Sequence, residues 1–331
     1  MSGPPPGPSR ATATPDRPRV LPPETLAALA GAAFRGGEVL SVQPLTGGVV
    51  NSNYRVRLKY RHDPVVLRLY DRDPAACAKE LELMRLVRGT VAVPDILHAD
   101  PVGMEGVGPC LWLEHVHGLT VRQLKAEHDT AALASAARSI GQALAAIGEH
   151  AFVRPGWLRG ARDVGAALAD GEDPVPAFLD RCRASEAFRP RMEESLSTRL
   201  HEFAWAWAPR LRAHAAASRL VHGDFSSGNL VVREIRSGWR LVAVLDWECA
   251  VSGSPLADVG HFLRHELPDR PRLEPHFSRG FVEAGGGLPA DWRELARLLD
   301  LAALCEMLTR ESLPDFAVAE IRGLIRATVE G

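Results

Sequence analysis

The chain has 331 residues, of which 46% are hydrophobic and 24% are charged, and its formal net charge is -2 at pH 7. This size and balance are typical of a globular protein with two lobes or domains, and they exclude a fibrous or wholly disordered chain. Because the charge is near zero and no long Lys/Arg run occurs, a nucleic acid or an anionic membrane is not an expected partner. A small molecule is the expected partner.

The first segment of the chain, residues 1–23, contains Pro, Gly, Ser and Arg but no apolar stretch of the kind found in secretory signal peptides. We expect it to be a disordered tail, because it cannot bury enough apolar surface to offset the entropy of ordering; an Arg-containing targeting peptide is the alternative. No apolar run reaches the roughly 20 residues of a membrane-spanning helix. The five cysteines are widely spaced without a CxxC pair, which is typical of reduced thiols in a cytoplasmic protein.

Residues 24–116 predict a small β-sheet that carries one long helix. PPETLAALAGAAF has Pro at its start and predicts a short helix. NSNYRVRLKY alternates apolar with basic residues, and with the β-rich VVLRLY it predicts an antiparallel hairpin closed by the turn RHDP. DPAACAKELELMRLVRG predicts an amphipathic helix that begins after Asp73 and ends before Gly89, and VPDILHAD and PCLWLEHV predict further strands.

Residues 117–331 predict a mainly helical second lobe. Helices are expected over 129–150 with Asp129 as the N-cap, over 191–216 and again within 289–329. The Gly- and Pro-rich stretch 153–176, with its acidic DGED, predicts a loop-rich insertion. The segments VHGDFSSGNLVV and WRLVAVLDW predict a short β-rich interruption between the helices.

Three polar side chains stand beside this buried-looking β-structure, where an unpaired charge would be costly. Asp224 is followed five positions later by Asn229, and Asp246 ends the strand RLVAVLD. Phosphoryl transfer needs a carboxylate that takes the proton of the attacking hydroxyl, and it needs oxygen ligands for Mg²⁺. The protein-kinase pattern has the same order of Asp, Asn and Asp. A capped turn followed by an ordinary strand end is the structural alternative.

VHGDFSSGNLVV and VLDWECAVSGSPLADVGHFL resemble the aminoglycoside phosphotransferase and choline-kinase-like group of small-molecule kinases. The resemblance implies an α+β, two-lobed protein-kinase-like fold, with a small β-rich N-terminal lobe that carries one long helix and a larger, mainly helical C-terminal lobe. It implies that Asp224 is the catalytic base and that Asn229 and Asp246 bind Mg²⁺. His222 and Asp258 are expected to support the catalytic loop, although Asp258 could simply cap a helix.

The N-terminal half agrees with this resemblance. LTGGVVNSNYRV resembles the glycine-containing phosphate loop of the family, which implies nucleotide contacts at Gly48, Asn51 and Ser52. Arg68 falls where kinases place the lysine that holds the α- and β-phosphates, and Glu80 is its expected ion-pair partner. Arg and Lys are not interchangeable at such a site, so Arg68 is a departure from the pattern.

LWLEHVHG is the expected hinge between the lobes, with backbone groups of Glu114 and Val116 offered to adenine. The expected cofactors are ATP, with GTP as an open alternative, and Mg²⁺. The expected Arg68–Glu80 ion pair has bland alternatives. Glu80 could be a solvated charge on a helix face, and Arg68 could be an ordinary arginine of a strand.

The expected function is therefore transfer of the γ-phosphoryl group of ATP to a hydroxyl of a small molecule. An aminoglycoside or another amine-bearing acceptor is suggested by acidic residues of the insertion and the C-terminal part, unless these are solvated surface: Asp170, Glu172, Asp173, Glu266, Glu306 and Glu311. Two alternatives stay open. One is a metabolite kinase for choline, homoserine or a sugar, and the other is a catalytically silent pseudokinase that binds nucleotide as a scaffold.

Overall fold

The computed structural model describes residues 19–45, 51–127, 130–266, 272–311 and 313–331. Within these ranges the chain forms a β-rich lobe followed by a mainly helical lobe, so the predicted α+β fold is confirmed. The strands are β1 Val39–Pro44, β2 Ser52–Leu58, β3 Val65–Leu69, β4 Ile96–Met104, β5 Gly108–Glu114, β6 Leu119–Thr120, β7 Gly156–Trp157, β8 Arg219–Val221, β9 Leu230–Ile235, β10 Gly238–Val244 and β11 Val251–Gly253. The helices are α1 Pro23–Ala33, α2 Pro74–Val87, α3 Val121–Glu127, α4 Thr130–Ile147, α5 Pro174–Ala184, α6 Glu194–Ala206, α7 Ala208–Ala215, α8 Leu256–Leu263, α9 Glu274–Glu283, α10 Trp292–Leu308 and α11 Asp315–Glu330.

The N-terminal lobe is built on a five-stranded antiparallel sheet in the order β1-β2-β3-β5-β4. The predicted hairpin of β2 and β3 is present, with Tyr54 opposite Leu67. Tyr54, Val56 and Leu58 are buried against α1, as their alternation with basic residues indicates. The strand β1 was not predicted, because its residues are mostly exposed and lack a buried alternate face.

Helix α2 connects the sheet to the rest of the molecule. It begins after Asp73, whose side chain accepts a hydrogen bond from the N–H of Ala75 at 3.1 Å, and it carries Pro74 at its first position. Its buried residues, including Leu83 and Met84, belong to the same hydrophobic core as the helical lobe. This shared core fixes α2 relative to the segments that follow β10.

The C-terminal lobe packs α4 against α9 and α10 against α8, while two three-stranded sheets, β10-β9-β6 and β7-β11-β8, carry the segments with the candidate site. The helical stretch predicted over 191–216 is present, but it is divided into two helices. A 3₁₀ turn at Arg189–Arg191 precedes α6, and α7 begins anew after Trp207 because Pro209 lacks the N–H that a continuous helix needs.

Some predictions fall outside the described residues. These are the first 18 residues of the expected tail, Asp129 at the start of the α4 region, and Gly48. Residues 19–22 of the expected tail contact the first lobe: the Arg19 side chain lies 3.0 Å from Asp71, and Tyr54 donates its hydroxyl to the Arg19 carbonyl. No helix in the described parts of the chain is both long enough and apolar enough to cross a membrane.

Candidate active site

The loop between β8 and β9 carries Asp224 and faces the cleft between the two lobes. Gly223 precedes it with φ of +78°, and a side chain at this position would put its Cβ 2.3 Å from the carbonyl oxygen of Cys249. Only glycine fits here without strain. The sequence HGD therefore sets a tight turn that directs Asp224 into the cleft.

Both carboxylate oxygens of Asp224 have partners. Oδ2 accepts a hydrogen bond from the amide of Asn229 at 2.9 Å, and Oδ1 lies 3.2 Å from Nε2 of His261. Burial alone would raise the pKa of Asp224, but contacts with His261, His222 and Asn229 hold it below its usual value. The side chain remains 38% exposed, so an ionised carboxylate is available to a ligand in the cleft.

Two buried side chains, those of Asp258 and His222, support this loop. The carboxylate of Asp258, on α8, accepts the backbone N–H groups of His222 at 2.6 Å and Gly223 at 3.0 Å. His222 Nε2 donates to the carbonyl of Leu245 at 2.9 Å, while Nδ1 accepts the N–H of Asp224 at 3.3 Å. Burial raises the pKa of Asp258. These contacts agree with the supporting roles expected of both residues.

Asp246 follows β10 in a strained conformation. Its φ and ψ are both 68°, and among the described residues it alone is a non-glycine with positive φ. Such conformations persist where the surroundings impose them, and they cluster at functional sites. Leu245, which precedes Asp246, donates its N–H to the Asn229 carbonyl at 2.8 Å. Asp246 and Asn229 are thereby held side by side.

Arg68 lies at the centre of a buried cluster of carboxylates. Its Nη2 is 2.5 Å from Asp246 Oδ1 and 3.5 Å from Glu248 Oε2, and its Nε is 3.1 Å from Glu80 Oε2. Burial alone would lower the pKa of Arg68, but Asp246 and Glu80 keep it well above the usual value. The expected Arg68–Glu80 pair is therefore present, and Glu80 also accepts the hydroxyl of Tyr70 at 2.6 Å.

Glu248 is a site residue that the sequence reasoning missed. Its carboxylate accepts a hydrogen bond from Nδ2 of Asn51 at 2.5 Å, while its backbone carbonyl accepts one from Lys79 at 2.6 Å. Burial and the neighbouring Asp246 raise the pKa of Glu248 to about 7. The available signal was a second carboxylate two positions after Asp246, in the segment LDWEC.

His261 is the second missed residue. It follows Asp258 by three positions on α8, a spacing that puts both side chains on one helix face toward the catalytic loop. Its Nδ1 lies 3.3 Å from Nη2 of Arg264, which can only donate, so the ring proton is assigned to Nε2, facing Asp224. Arg264 in turn forms a two-point pair with the buried carboxylate of Asp300, at 2.5 and 2.9 Å.

The remaining predicted nucleotide residues have different environments. Asn51 lines the cleft, whereas the Ser52 hydroxyl accepts the N–H of Arg19 at 3.4 Å. Glu114 and Val116 line the cleft, but the N–H of Glu114 already donates to the carbonyl of Asp95 at 2.8 Å. Of the hinge groups proposed for adenine, the Glu114 N–H is therefore committed within the protein.

The donor set around Asp246 fits magnesium. Asp246, Asn229 and Glu248 offer carboxylate and amide oxygens, the ligands this cation prefers. No group of three His, Cys, Asp or Glu residues arranged to hold a metal occurs in the described ranges. Mg²⁺ is commonly held by one or two carboxylates, water and the phosphates of a substrate rather than by a full protein cage.

The cleft has a volume of about 2490 Å³, well above the roughly 300–1,000 Å³ of a single small-ligand pocket, so it has room for two substrates. A β-rich lobe and a helical lobe, with an Asp–Asn–Asp set and a buried Arg–Glu pair at their junction, define a kinase-like phosphotransferase architecture. A model of the phosphotransferase enzyme family matches residues 41–298, and the chain belongs to that family.

Solved structures share the fold at low sequence identity. An ADP and hygromycin B complex of aminoglycoside phosphotransferase APH(4)-Ia is 17% identical, with a TM-score of 0.64 over 93% of this chain and 97% of that chain. A GDP and kanamycin complex of APH(2")-IIIa is 17% identical, with a TM-score of 0.65 over 92% of this chain and 97% of that chain.

Curated relatives match only locally. Acyl-CoA dehydrogenase family member 11 of Homo sapiens is 37% identical over 71 residues, which are 22% of this chain and 9% of that protein. The Rattus norvegicus protein of the same name is 38% identical over 71 residues, again 9% of its length. The match thus spans about a tenth of each relative.

Proposed function

We propose that the protein transfers the γ-phosphoryl group of ATP, with Mg²⁺, to a hydroxyl group of a small molecule. The observation that carries the proposal is the environment of Asp224. Its two oxygens are oriented by Asn229 and His261, its pKa is lowered, and its side chain is open to the cleft. A carboxylate held in this way can orient an acceptor hydroxyl and take its proton as the oxygen attacks phosphorus.

At the other end of the site, Arg68 is fixed by Glu80 and directs its guanidinium toward Asp246. Its Nε and Nη2 contact Glu80, Asp246 and Glu248, so Nη1 is the nitrogen that would meet a phosphate oxygen. Asn229 and Asp246, with Glu248 beside them, would hold Mg²⁺, which when bound would neutralise charge on the phosphate oxygens. The nucleotide contacts proposed for Gly48, Asn51, Ser52, Glu114 and Val116 remain part of this proposal.

Asp224→Asn tests the assignment, since Asn keeps the shape of the side chain but cannot accept the proton. We expect magnesium-dependent product formation to fall by about 10²-fold or more, because general-base catalysis typically contributes about 10²–10⁴-fold. Nucleotide binding, measured by calorimetry with Mg²⁺, should persist. Undiminished turnover in Asp224→Asn would contradict the role of Asp224.

ATP and GTP should be compared as donors, since the similar structures were solved with ADP in one case and GDP in another. A pseudokinase is the competing function, and the arginine in place of the usual lysine is the sequence feature that favours it. The Arg68–Glu80 pair argues against it, because the cation and its orienting carboxylate are both in place. Nucleotide binding without transfer to any acceptor would favour the pseudokinase.

An amine-bearing acceptor such as an aminoglycoside was suggested by the acidic residues, but several of these are engaged. Asp173 pairs with Arg212 at 2.7 Å, and Glu306 pairs with Arg310 at 2.8 Å. Glu266 accepts the backbone N–H groups of residues 272 and 273 at 2.7 Å each. These carboxylates are therefore a weak basis for expecting a cationic acceptor.

A further inference from the structure

Helix α3 puts two cationic side chains, Arg122 and Lys125, on the wall of the cleft next to the catalytic loop. The Arg122 N–H donates to the carbonyl of Ser227 at 2.9 Å. The guanidinium reaches Gly228, where an added Cβ would lie 3.0 Å from Nη2. Arg122 therefore lies against the loop that connects Asp224 to Asn229.

Neither cation is neutralised by the described part of the protein, in which no carboxylate oxygen forms a salt bridge with Arg122 or Lys125. The Lys125 ammonium lies 5.9 Å from the centre of the Phe262 ring, which suits a cation but does not cancel its charge. Burial lowers the pKa of Lys125, and the nearby Arg272 and Arg122 lower it further, against an opposing effect of Glu266. Glu266 is the charge that acts most strongly on Lys125, but it forms no salt bridge with Lys125 within the described residues, so an anionic group of a ligand would stabilise this half-buried ammonium.

The acidic residues on this side of the cleft do not balance the two cations. Asp300 is held by Arg264, and Glu306 is held by Arg310. Glu320 is 57% exposed, and its carboxylate lies 3.9 Å from Nδ1 of His265. Glu266 is engaged by the backbone N–H groups of residues 272 and 273, and Glu320 lies with His265, just past the end of α8.

We propose that Arg122 and Lys125 bind an anionic group, a carboxylate or a phosphate, of the acceptor alcohol. This deepens the proposed function and rests on it. With its anion on α3, the acceptor would direct a hydroxyl toward Asp224, because Arg122 and Asp224 flank the same short loop. The phosphates of the nucleotide would be bound instead by Arg68, which lies in the N-terminal lobe and contacts Asp246 across the cleft.

The test compares acceptors that differ only in charge, with γ-labelled ATP and mass spectrometry of the products. One set is glycerate, glycerol 3-phosphate, glycerol and 3-amino-1,2-propanediol, and a second is gluconate, glucose 6-phosphate, glucose and glucosamine. We expect phosphorylation of anionic members, with kcat/KM about tenfold or more above the neutral and cationic ones, since charge-assisted hydrogen bonds discriminate at this level. Carboxylate and phosphate members distinguish the two sources of negative charge.

Arg122→Gln and Lys125→Met should remove this preference by raising KM for the anionic acceptor about tenfold, while KM for ATP stays unchanged. Arg236→Gln is the matched control, because Arg236 is exposed in the turn between β9 and β10 and lies outside the cleft. A wild-type preference for neutral or cationic alcohols would overturn the inference and leave the proposed function intact. An equal rise in KM for ATP would also overturn it. Absence of any phosphorylated product would contradict the proposed function itself.

Discussion

Nε2 of His261 lies 3.2 Å from Oδ1 of Asp224, which joins helix α8 directly to the catalytic loop. The imidazole is backed by Arg264, and Arg264 by the buried Asp300. A chain of polar contacts therefore extends from the core of the helical lobe to the candidate base. This chain fixes the direction of one carboxylate oxygen while Asn229 fixes the other.

His261→Phe should lower kcat by about 10-fold to 100-fold, because a hydrogen bond to a charged group contributes about 1.5–3 kcal/mol. KM for both substrates should change little, since the contact orients the base rather than binding a ligand. His261→Gln, whose amide can still donate to Asp224, should recover part of the rate. His276→Gln is the control, because His276 lies on α9 outside the cleft. Equal losses in the Gln and Phe variants would contradict an orienting hydrogen bond.

Among single substitutions at the site, Arg68→Met should lower the free energy of unfolding the most. It would leave Glu80, Asp246 and Glu248 without their shared cation in a buried setting. Removing one partner of a buried ion pair typically costs about 3–5 kcal/mol, and chemical denaturation would measure it.

Arg68→Lys separates charge from geometry. A lysine keeps the charge but cannot reach Glu80 and Asp246 with a planar fork, so stability should recover in part while KM for ATP rises. If Arg68→Lys matched the wild type both in the free energy of unfolding and in KM for ATP, the planar geometry of the guanidinium would contribute to neither.

The site residues that could be predicted from the sequence are those that stand in short motifs of fixed spacing. Asp224, Asn229 and Asp246 stand in short segments of fixed spacing, and the Arg68–Glu80 pair followed from one strand and one helix face. Glu248 had a local signal two positions after Asp246, but its contact with Asn51, like that of Arg122 with Gly228, joins segments far apart in the chain. Only the tertiary fold brings such pairs together.

The fold shows the same division. The alternation of buried residues in β2 and the capped, amphipathic pattern of α2 predicted these elements from the sequence. β1 gave no such signal, because it pairs through its backbone and exposes most of its side chains. Pro209 indicated the break between α6 and α7, but the helix-favouring residues around it indicated continuous helical structure. His261 was also within reach, since it shares a helix face with Asp258.

Gly223→Ala should disturb the catalytic loop. The left-handed φ of +78° costs a non-glycine residue about 1–3 kcal/mol, and the contact with Cys249 at 2.3 Å adds to this. We expect a lower midpoint in thermal unfolding and a large loss of kcat, because Asp224 would shift. Gly253→Ala is the matched control in the adjacent strand, since its nearest neighbour would be 3.7 Å away. Wild-type activity in Gly223→Ala would show that the turn tolerates a side chain.

The cysteines should differ sharply in reactivity toward a thiol reagent. Burial raises the pKa of Cys77 and Cys182 to about 12 and that of Cys110 to about 11, and Cys305 is also raised well above its usual value. The thiolate is the reactive species, so these four groups stay protonated and react slowly at pH 8, and each becomes reactive only as the pH rises toward its own raised pKa. Cys249 is half-buried at the cleft.

Titration of the native protein at pH 8 should therefore give one fast thiol per chain, and denaturant should release all five. Cys249→Ser should remove the fast reaction, which identifies the residue without relying on activity. Because Cys249 follows Glu248 directly, bound nucleotide with Mg²⁺ should slow its labelling if the phosphates lie where Arg68 and Asp246 direct them. Fast labelling of a second cysteine would contradict the burial on which the raised pKa values rest. If bound nucleotide with Mg²⁺ left the rate of Cys249 labelling unchanged, Cys249 would not lie beside the phosphate end of the cleft.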